Sequence, residues 1–100
     1  MDTAIQVYWR RGCGFCSSLI GQLERFDVPL EKYNIWEDDD AAEIVRRAAR
    51  GHETVPTIGI NGHYLVNPRL SEIVALAREV APELAAGMET VKPERRWFKK

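Results

Sequence analysis

The sequence has few residues of the types that hold together small secreted or metal-bound domains. Its 100 residues include two cysteines and two histidines. Two cysteines cannot form the multiple-disulfide framework of a small secreted protein. A structural zinc site needs four ligands, and His52 and His63 lie eleven residues apart, without the spacing of zinc ligands. We therefore predict neither a disulfide framework nor a resident metal.

A charge imbalance and a long hydrophobic run are also absent. Fourteen basic and fifteen acidic side chains give a net charge of −1, which disfavours binding to nucleic acid or to a membrane surface. No apolar stretch approaches the roughly 20 residues that a bilayer demands. Residues 1–6 contain an acidic residue and no basic segment, so we infer no signal peptide from them. We expect a cytoplasmic monomer that binds neither nucleic acid nor membrane.

The sequence does have the composition and the periodicity of one globular α/β domain. Apolar residues make up 45% and charged residues 29% of the chain. Ile5, Val7 and Trp9 alternate with Gln6, Tyr8 and Arg10, which is typical of a strand. Later patterns predict a helix from Cys16 to about residue 27, a strand over 30–36, a helix over about 39–50, a hairpin around Asn61-Gly62 and a helix from Leu70 to Val80.

This order, β-α-β-α-β-β-α, determines the sheet. The first crossover requires parallel strands and the hairpin requires antiparallel ones, so we predict a four-stranded mixed sheet with helices on both faces. Residues 1–81 are predicted to form the domain. Residues 82–100 are predicted to be a C-terminal extension, a partly ordered tail with a basic, solvated end over residues 95–100.

Cys13 and Cys16 form a Cys-x-x-Cys between the first strand and the first helix. Free amides and the dipole at the helix start favour a thiolate at Cys13, and Arg10 and Arg11 add positive charge. Cys16 lies one helical turn inward, where it is shielded and can attack a mixed disulfide at Cys13. In a reducing cytosol the pair indicates redox chemistry, with Cys13 as nucleophile and Cys16 as resolving thiol, or half of a metal site.

Two further positions are candidates for substrate contact. Val55-Pro56 precedes a strand, and a cis bond there exposes the Val55 backbone groups to an extended substrate. The alternative is that Pro56 only terminates the loop. Phe15 lies between the cysteines, and we expect it to be exposed and to contact partners.

Three segments together resemble the glutaredoxin family of the thioredoxin-like fold. They are Tyr8-Trp9-Arg10-Arg11-Gly12-Cys13-Gly14-Phe15-Cys16, Thr54-Val55-Pro56-Thr57 and Ile60-Asn61-Gly62. The resemblance extends over about residues 3–80. It implies a cis Pro56, and it places Arg10 where glutaredoxins carry a basic residue near the nucleophile.

Two segments depart from the usual glutaredoxin pattern. Gly14-Phe15 replaces Pro-Tyr, and Val66-Asn67-Pro68 replaces the Gly-Gly at which the γ-glutamyl carboxylate of glutathione docks. Both features are similar to those of mycoredoxins, the actinobacterial members that use mycothiol. The resemblance implies a thiol–disulfide oxidoreductase without a bound cofactor, which reduces mixed disulfides of proteins with mycothiol, or with glutathione as the other thiol. The implied substrate-binding residues are Arg10, Phe15, Val55, Pro56, Val66 and Asn67.

Two other functions are compatible with the same pattern. One is a glutaredoxin-like electron donor to an enzyme such as ribonucleotide reductase, although the Trp-Ser-Gly-Phe-Arg-Pro segment of such donors is absent. The other is a glutaredoxin-like module in which an exposed thiolate helps to hold a [2Fe–2S] cluster between two chains.

Overall fold

The computed structural model describes residues 3–89, which form four strands and four helices. The strands are β1 (Ile5–Trp9), β2 (Leu30–Asn34), β3 (Thr57–Ile60) and β4 (His63–Val66), and the helices are α1 (Gly14–Leu23), α2 (Asp39–Ala48), α3 (Leu70–Val80) and α4 (Pro82–Gly87). The sheet order is β2-β1-β3-β4. β1 and β2 are parallel, whereas β3 is antiparallel to β1 and β4. The predicted topology is therefore confirmed.

The register brings the ends of three strands together. Tyr8, near the end of β1, pairs with Tyr33 of β2 and with Thr57, the first residue of β3. Because Cys13 follows β1 and Pro56 immediately precedes β3, this edge of the sheet places the Cys-x-x-Cys beside the Val-Pro segment.

The main core lies between one face of the sheet and helices α1, α3 and α4. Ile5 and Val7 of β1 and Ile58 and Ile60 of β3 point into it, as the alternation of a strand requires. The helices contribute Leu19, Leu23, Ile73, Ala77, Leu84 and Ala85, with Ala81 and Met88 at the ends of α4.

A smaller core lies on the opposite face, under α2. It contains Tyr8, Ile35, Ala41, Ala42 and Val45. Tyr8 is only 2% exposed, although the alternation grouped it with the polar positions of β1. That grouping is wrong because both faces of β1 are covered, and a central strand then has no solvent face. Burial is the main cause that raises the pKa of Tyr8, and its ring stacks on Tyr33 at 5.3 Å between centroids.

Helix α1 begins two residues before the predicted start and ends four residues before the predicted end. Its last residue is Leu23. The N–H groups of Arg25 and Phe26 donate to the carbonyls of Gln22 and Leu23, three residues earlier. These tighter bonds end the α-helix while Phe26 still packs against the main core.

Side chains and backbone geometry set the ends of β2 and α2. β2 ends at Asn34, two residues before Trp36, because the Asn34 side chain accepts the Trp36 N–H at 3.0 Å in a turn. The Asp38 carboxylate caps α2 by accepting the Ala41 N–H at 3.1 Å, and the helix begins at residue 39 as predicted. α2 ends at Ala48, and positive φ values of 58° at Arg50 and 93° at Gly51 turn the chain away.

Pro82 begins a short helix, α4, that packs into the main core. Leu84 and Ala85 are buried there, and Met88 is buried just after the helix. The proposed domain boundary at residue 82 stays a prediction, and residues 90–100 lie outside the described residues. Among residues 3–89, no helix has the length and apolar character needed to cross a membrane.

Candidate active site

Cys13 and Cys16 are joined by a disulfide at the turn from β1 into α1. Their Cα atoms are 5.2 Å apart. Cys13 is the N-cap residue of α1, and its sulfur accepts the Cys16 N–H at 3.1 Å. In the reduced protein the same geometry directs a backbone donor and the positive end of the helix at the Cys13 sulfur, which favours the thiolate.

The two sulfurs differ in their access to solvent. Cys16 is 1% exposed, whereas Cys13 is only partly buried. Phe15, between them, is 76% exposed, which confirms the expectation that it faces solvent. A disulfide on another molecule can therefore reach Cys13, while Cys16 is accessible mainly to the sulfur bound at Cys13.

The Val55–Pro56 segment lies directly beside Cys13. The Val55–Pro56 bond is cis, as predicted. The Cys13 sulfur is 3.9 Å from the Val55 carbonyl oxygen. Pro56 is buried, and the Thr57 hydroxyl after it donates to the Thr54 carbonyl at 2.9 Å. This bond fixes the loop that presents the Val55 backbone to the site.

A groove of about 280 Å³ connects Phe15 to the start of α3, and we call it the Pro56 groove. It brings together three residues that the sequence predicted, Phe15, Pro56 and Asn67. The Asn67 N–H donates to the Pro56 carbonyl at 2.7 Å, which ties the two segments to each other. Its other lining residues are Ser18, Leu19, Gln22, Pro68, Arg69 and Leu70. Val55 and the half-exposed Val66 lie outside its lining.

The backbone from residue 67 to residue 69 has no N–H free to bind an anion. Asn67 uses its N–H on Pro56, and Pro68 has none. The Arg69 N–H donates to the Glu72 carboxylate at 2.7 Å, so a side chain of the helix itself occupies this donor. Sequence reasoning singled out the segment Val66-Asn67-Pro68 but missed Glu72. The signal for it was a glutamate three residues after the N-cap.

Arg10 and Arg11, which precede the cysteines, contact two residues that follow β2. The Arg10 guanidinium lies over the Trp36 ring, 5.4 Å from its centroid, and donates to the Arg11 carbonyl at 3.1 Å. Arg11 lies 3.6 Å from Glu37. Arg10 does not line the Pro56 groove, and its role in substrate binding stays a prediction.

A larger groove, of about 680 Å³, lies between α1 and β2, and we call it the α1–β2 groove. Cys16 and Trp9 are among the residues that line it. The indole N–H of Trp9 is buried and has no hydrogen-bond partner among the described residues. The other lining residues are Ser17, Ile20, Gly21, Glu24, Lys32, Tyr33, Asn34, Glu37 and Asp38. Sequence reasoning missed this groove. Its walls come mainly from α1 and β2, and the distance between these two elements depends on how the helix packs on the sheet.

Within residues 3–89, no three His, Cys, Asp or Glu side chains come close enough together to hold a metal ion.

Fold and site together define a class of protein. A Cys-x-x-Cys at a strand-to-helix turn, beside an X-Pro loop on a four-stranded mixed sheet, is the arrangement of thiol–disulfide oxidoreductases with the thioredoxin-like fold. The sequence model of the glutaredoxin family matches residues 5–65. The chain belongs to the glutaredoxin family and is a thiol–disulfide oxidoreductase with a redox-active Cys13–Cys16 pair.

Solved structures share the fold at low sequence identity. A thioredoxin-like protein has a TM-score of 0.63 and 21% identity, over 72% of this chain and 97% of its own. The glutaredoxin of Archaeoglobus fulgidus has a TM-score of 0.59 and 17% identity, over 74% and 85%. A buckwheat glutaredoxin–glutathione complex has a TM-score of 0.56 and 17% identity, over 86% and 82%. These identities support the fold alone, and no curated protein matches the sequence.

Proposed function

We propose that the protein reduces mixed disulfides between proteins and a low-molecular-weight thiol without carboxylates, and that this thiol is mycothiol. One observation carries the choice of thiol: the backbone at residues 67–69, at the start of α3, has no free N–H for a carboxylate. Glutathione has two carboxylates, whereas mycothiol carries its cysteine, acetylated, on a glucosamine–inositol scaffold and presents none.

The chemistry is a sequence of thiol–disulfide exchanges in which one bond forms as another breaks. The Cys13 thiolate attacks the small-thiol sulfur of a mixed disulfide, and the protein sulfur leaves as a thiolate that takes up a proton. A second small thiolate then attacks the small-thiol sulfur on Cys13. A symmetrical disulfide leaves, and the Cys13 thiolate returns.

A second route uses Cys16. Its thiolate attacks the Cys13 sulfur of a mixed disulfide, the bound thiol leaves, and the Cys13–Cys16 disulfide forms. The two residues are placed for this bond, since their Cα atoms are 5.2 Å apart. Because Cys16 is shielded, it meets a sulfur only after Cys13 has bound it.

The neighbouring backbone supports binding of an extended substrate at Cys13. The Val55 carbonyl oxygen lies 3.9 Å from the Cys13 sulfur, close enough to align a partner chain along the loop. The exposed Phe15 ring provides a further apolar contact.

The Pro56 groove fits a neutral, hydroxyl-rich thiol better than an anionic one. The Asn67 side chain offers both a donor and an acceptor to hydroxyl groups. Glu72 places its own carboxylate at the Arg69 N–H, where it repels a ligand carboxylate. Arg69 lines the groove and is the group through which a carboxylate would still bind, so its charge limits the expected selectivity.

The test compares kcat/KM for one peptide carrying either mycothiol or glutathione in a mixed disulfide. We expect the mycothiol substrate to be preferred at least about tenfold, which corresponds to roughly 1.4 kcal/mol of transition-state binding. Glu72→Ala frees the Arg69 N–H and should raise the glutathione value alone. Glu79→Ala, which removes an exposed glutamate from the same helix, is the matched control and should leave the ratio unchanged. Equal efficiencies in the unmodified protein would contradict the proposal.

A further inference from the structure

Helix α1 separates two grooves that share no residue. Phe15, Ser18, Leu19 and Gln22 of α1 face the Pro56 groove, whereas Cys16, Ser17, Ile20, Gly21 and Glu24 face the α1–β2 groove. The thiol chemistry uses the first face, at Cys13. The larger groove on the second face borders Cys16 and contains none of the proposed substrate-contact residues.

The walls of the α1–β2 groove combine apolar and acidic surface. Trp9 and Ile20 supply apolar surface, and the buried Cys16 lies behind the groove wall. Glu37 and Asp38 supply carboxylates at one end, and the exposed Asp39 and Asp40 continue the acidic run. At the other end Lys32 and Glu24 pair at 3.0 Å, so that their charges offset each other.

We propose that the α1–β2 groove binds the C-terminal segment of the same chain, residues 95–100. That segment reads Arg-Arg-Trp-Phe-Lys-Lys. Residues 90–100 carry five basic side chains and one acidic side chain, whereas residues 3–89 carry nine basic and thirteen acidic ones. Trp97 and Phe98 match the apolar surface, and the flanking cations match the carboxylates. The occupant therefore complements the groove in both respects.

The chain has the length to reach the groove. Gly87 ends α4 against the α1–β2 connection, where a Cβ atom on it would lie 2.5 Å from the Asp27 carbonyl oxygen. Glu24, at the near end of the groove, is three residues before Asp27. The eight residues that follow Glu89, up to Trp97, span at most about 26–29 Å when extended. The length of β2 along the groove is only about 13 Å, so the connecting residues are long enough to reach either end of the groove.

Charge argues against the other groove as the binding site. Arg69 is the charged residue that lines the Pro56 groove, and it repels a basic segment. Binding in the α1–β2 groove instead leaves Cys13 and Phe15 open to substrates while it covers the Cys16 flank.

The test is an amide and indole ¹⁵N–¹H NMR comparison of full-length variants. Trp97→Ala/Phe98→Ala should shift the signals of Gly21, Asn34 and the Trp9 indole N–H, and it should leave those of Asn67 and Arg69 in place. Val91→Ala, an apolar truncation outside the docking segment, is the matched control and should shift neither group. Shifts that are absent, or that fall on the Pro56 groove, overturn the proposal.

Salt and dilution supply two independent checks. Raising the salt concentration to about 0.5 M should move the groove signals of the unmodified protein toward those of the double variant, because screening weakens the ionic contacts. Tenfold dilution should leave the signals unchanged, since the segment is tethered. Signals that revert on dilution mean that the groove binds a second copy of the chain, which overturns docking within one molecule.

Discussion

At the scale of single residues, the reactivity of the site follows from the different surroundings of two chemically identical thiols. Cys13 lies at the helix start with the Cys16 N–H directed at its sulfur, whereas the Cys16 sulfur is buried. A donor near a thiolate lowers the pKa of the thiol, and burial without such a donor raises it. These two differences are enough to make Cys13 the nucleophile and Cys16 the resolving thiol.

Alkylation of single-cysteine variants tests this division. In reduced protein near neutral pH, Cys16→Ser, which retains Cys13, should react with iodoacetamide at least about tenfold faster than Cys13→Ser. Because the Cys16 N–H and the start of α1 favour the Cys13 thiolate, its rate should already be high at neutral pH. Equal rates in the two variants would contradict the assignment.

The sequence predicted which residues react but not where every neighbouring side chain points. The positions of Cys13, Pro56 and Phe15 follow from spacing and from one strand-to-helix turn, so local patterns suffice for them. Arg10 lies over the ring of Trp36, which follows the end of β2. Such directions depend on contacts between segments or on rotamers, which a pattern of residue types does not contain.

At the scale of elements, α1 is the helix on which the site depends. It presents Cys13 at its N-cap and separates the two grooves along its length. Periodicity predicted its existence and its apolar face. It did not predict the end at Leu23, because the tighter turn at Arg25 and Phe26 keeps Phe26 in contact with the core. An apolar residue at helical spacing therefore does not prove that the helix continues.

Two glycines in helices should respond in opposite directions to alanine. A Cβ atom added at Gly21 of α1 would have no atom within 4 Å apart from those of its own helix backbone. Gly21→Ala should therefore stabilise the fold by up to about 1 kcal/mol. At Gly87 the Cβ meets the Asp27 carbonyl at 2.5 Å, so Gly87→Ala should destabilise the fold by about 1–3 kcal/mol. Urea unfolding of both variants measures the difference, and the same sign for both would contradict the packing of α4 against the α1–β2 connection.

At the scale of the whole molecule, two cores on opposite faces hold the sheet, and α4 completes the larger one. The mixed sheet could be predicted from the order of strands and helices, because a crossover and a hairpin allow few arrangements. The contribution of α4 could not, because a six-residue helix after a proline has too few positions to show a periodic pattern.

Truncating Leu84 tests whether α4 belongs to the domain. Leu84 is 3% exposed in the main core, so Leu84→Ala should lower the free energy of unfolding by about 2–5 kcal/mol. Glu79→Ala, on the exposed side of α3, should change it by no more than about 0.5 kcal/mol. A change at Leu84 as small as that of the control would mean that the domain ends before residue 82.

The most direct measurement of the proposed chemistry is the mass of the adduct that forms on Cys13 when Cys16 is absent. Reduced Cys16→Ser protein, mixed with a peptide that carries mycothiol in a mixed disulfide, should gain the mass of one mycothiol and release the peptide as a free thiol. Cys13→Ser protein should gain nothing. Accumulation of a peptide adduct on Cys13, or an equal adduct on the Cys13→Ser protein, would contradict a mechanism in which Cys13 attacks the small thiol and retains it.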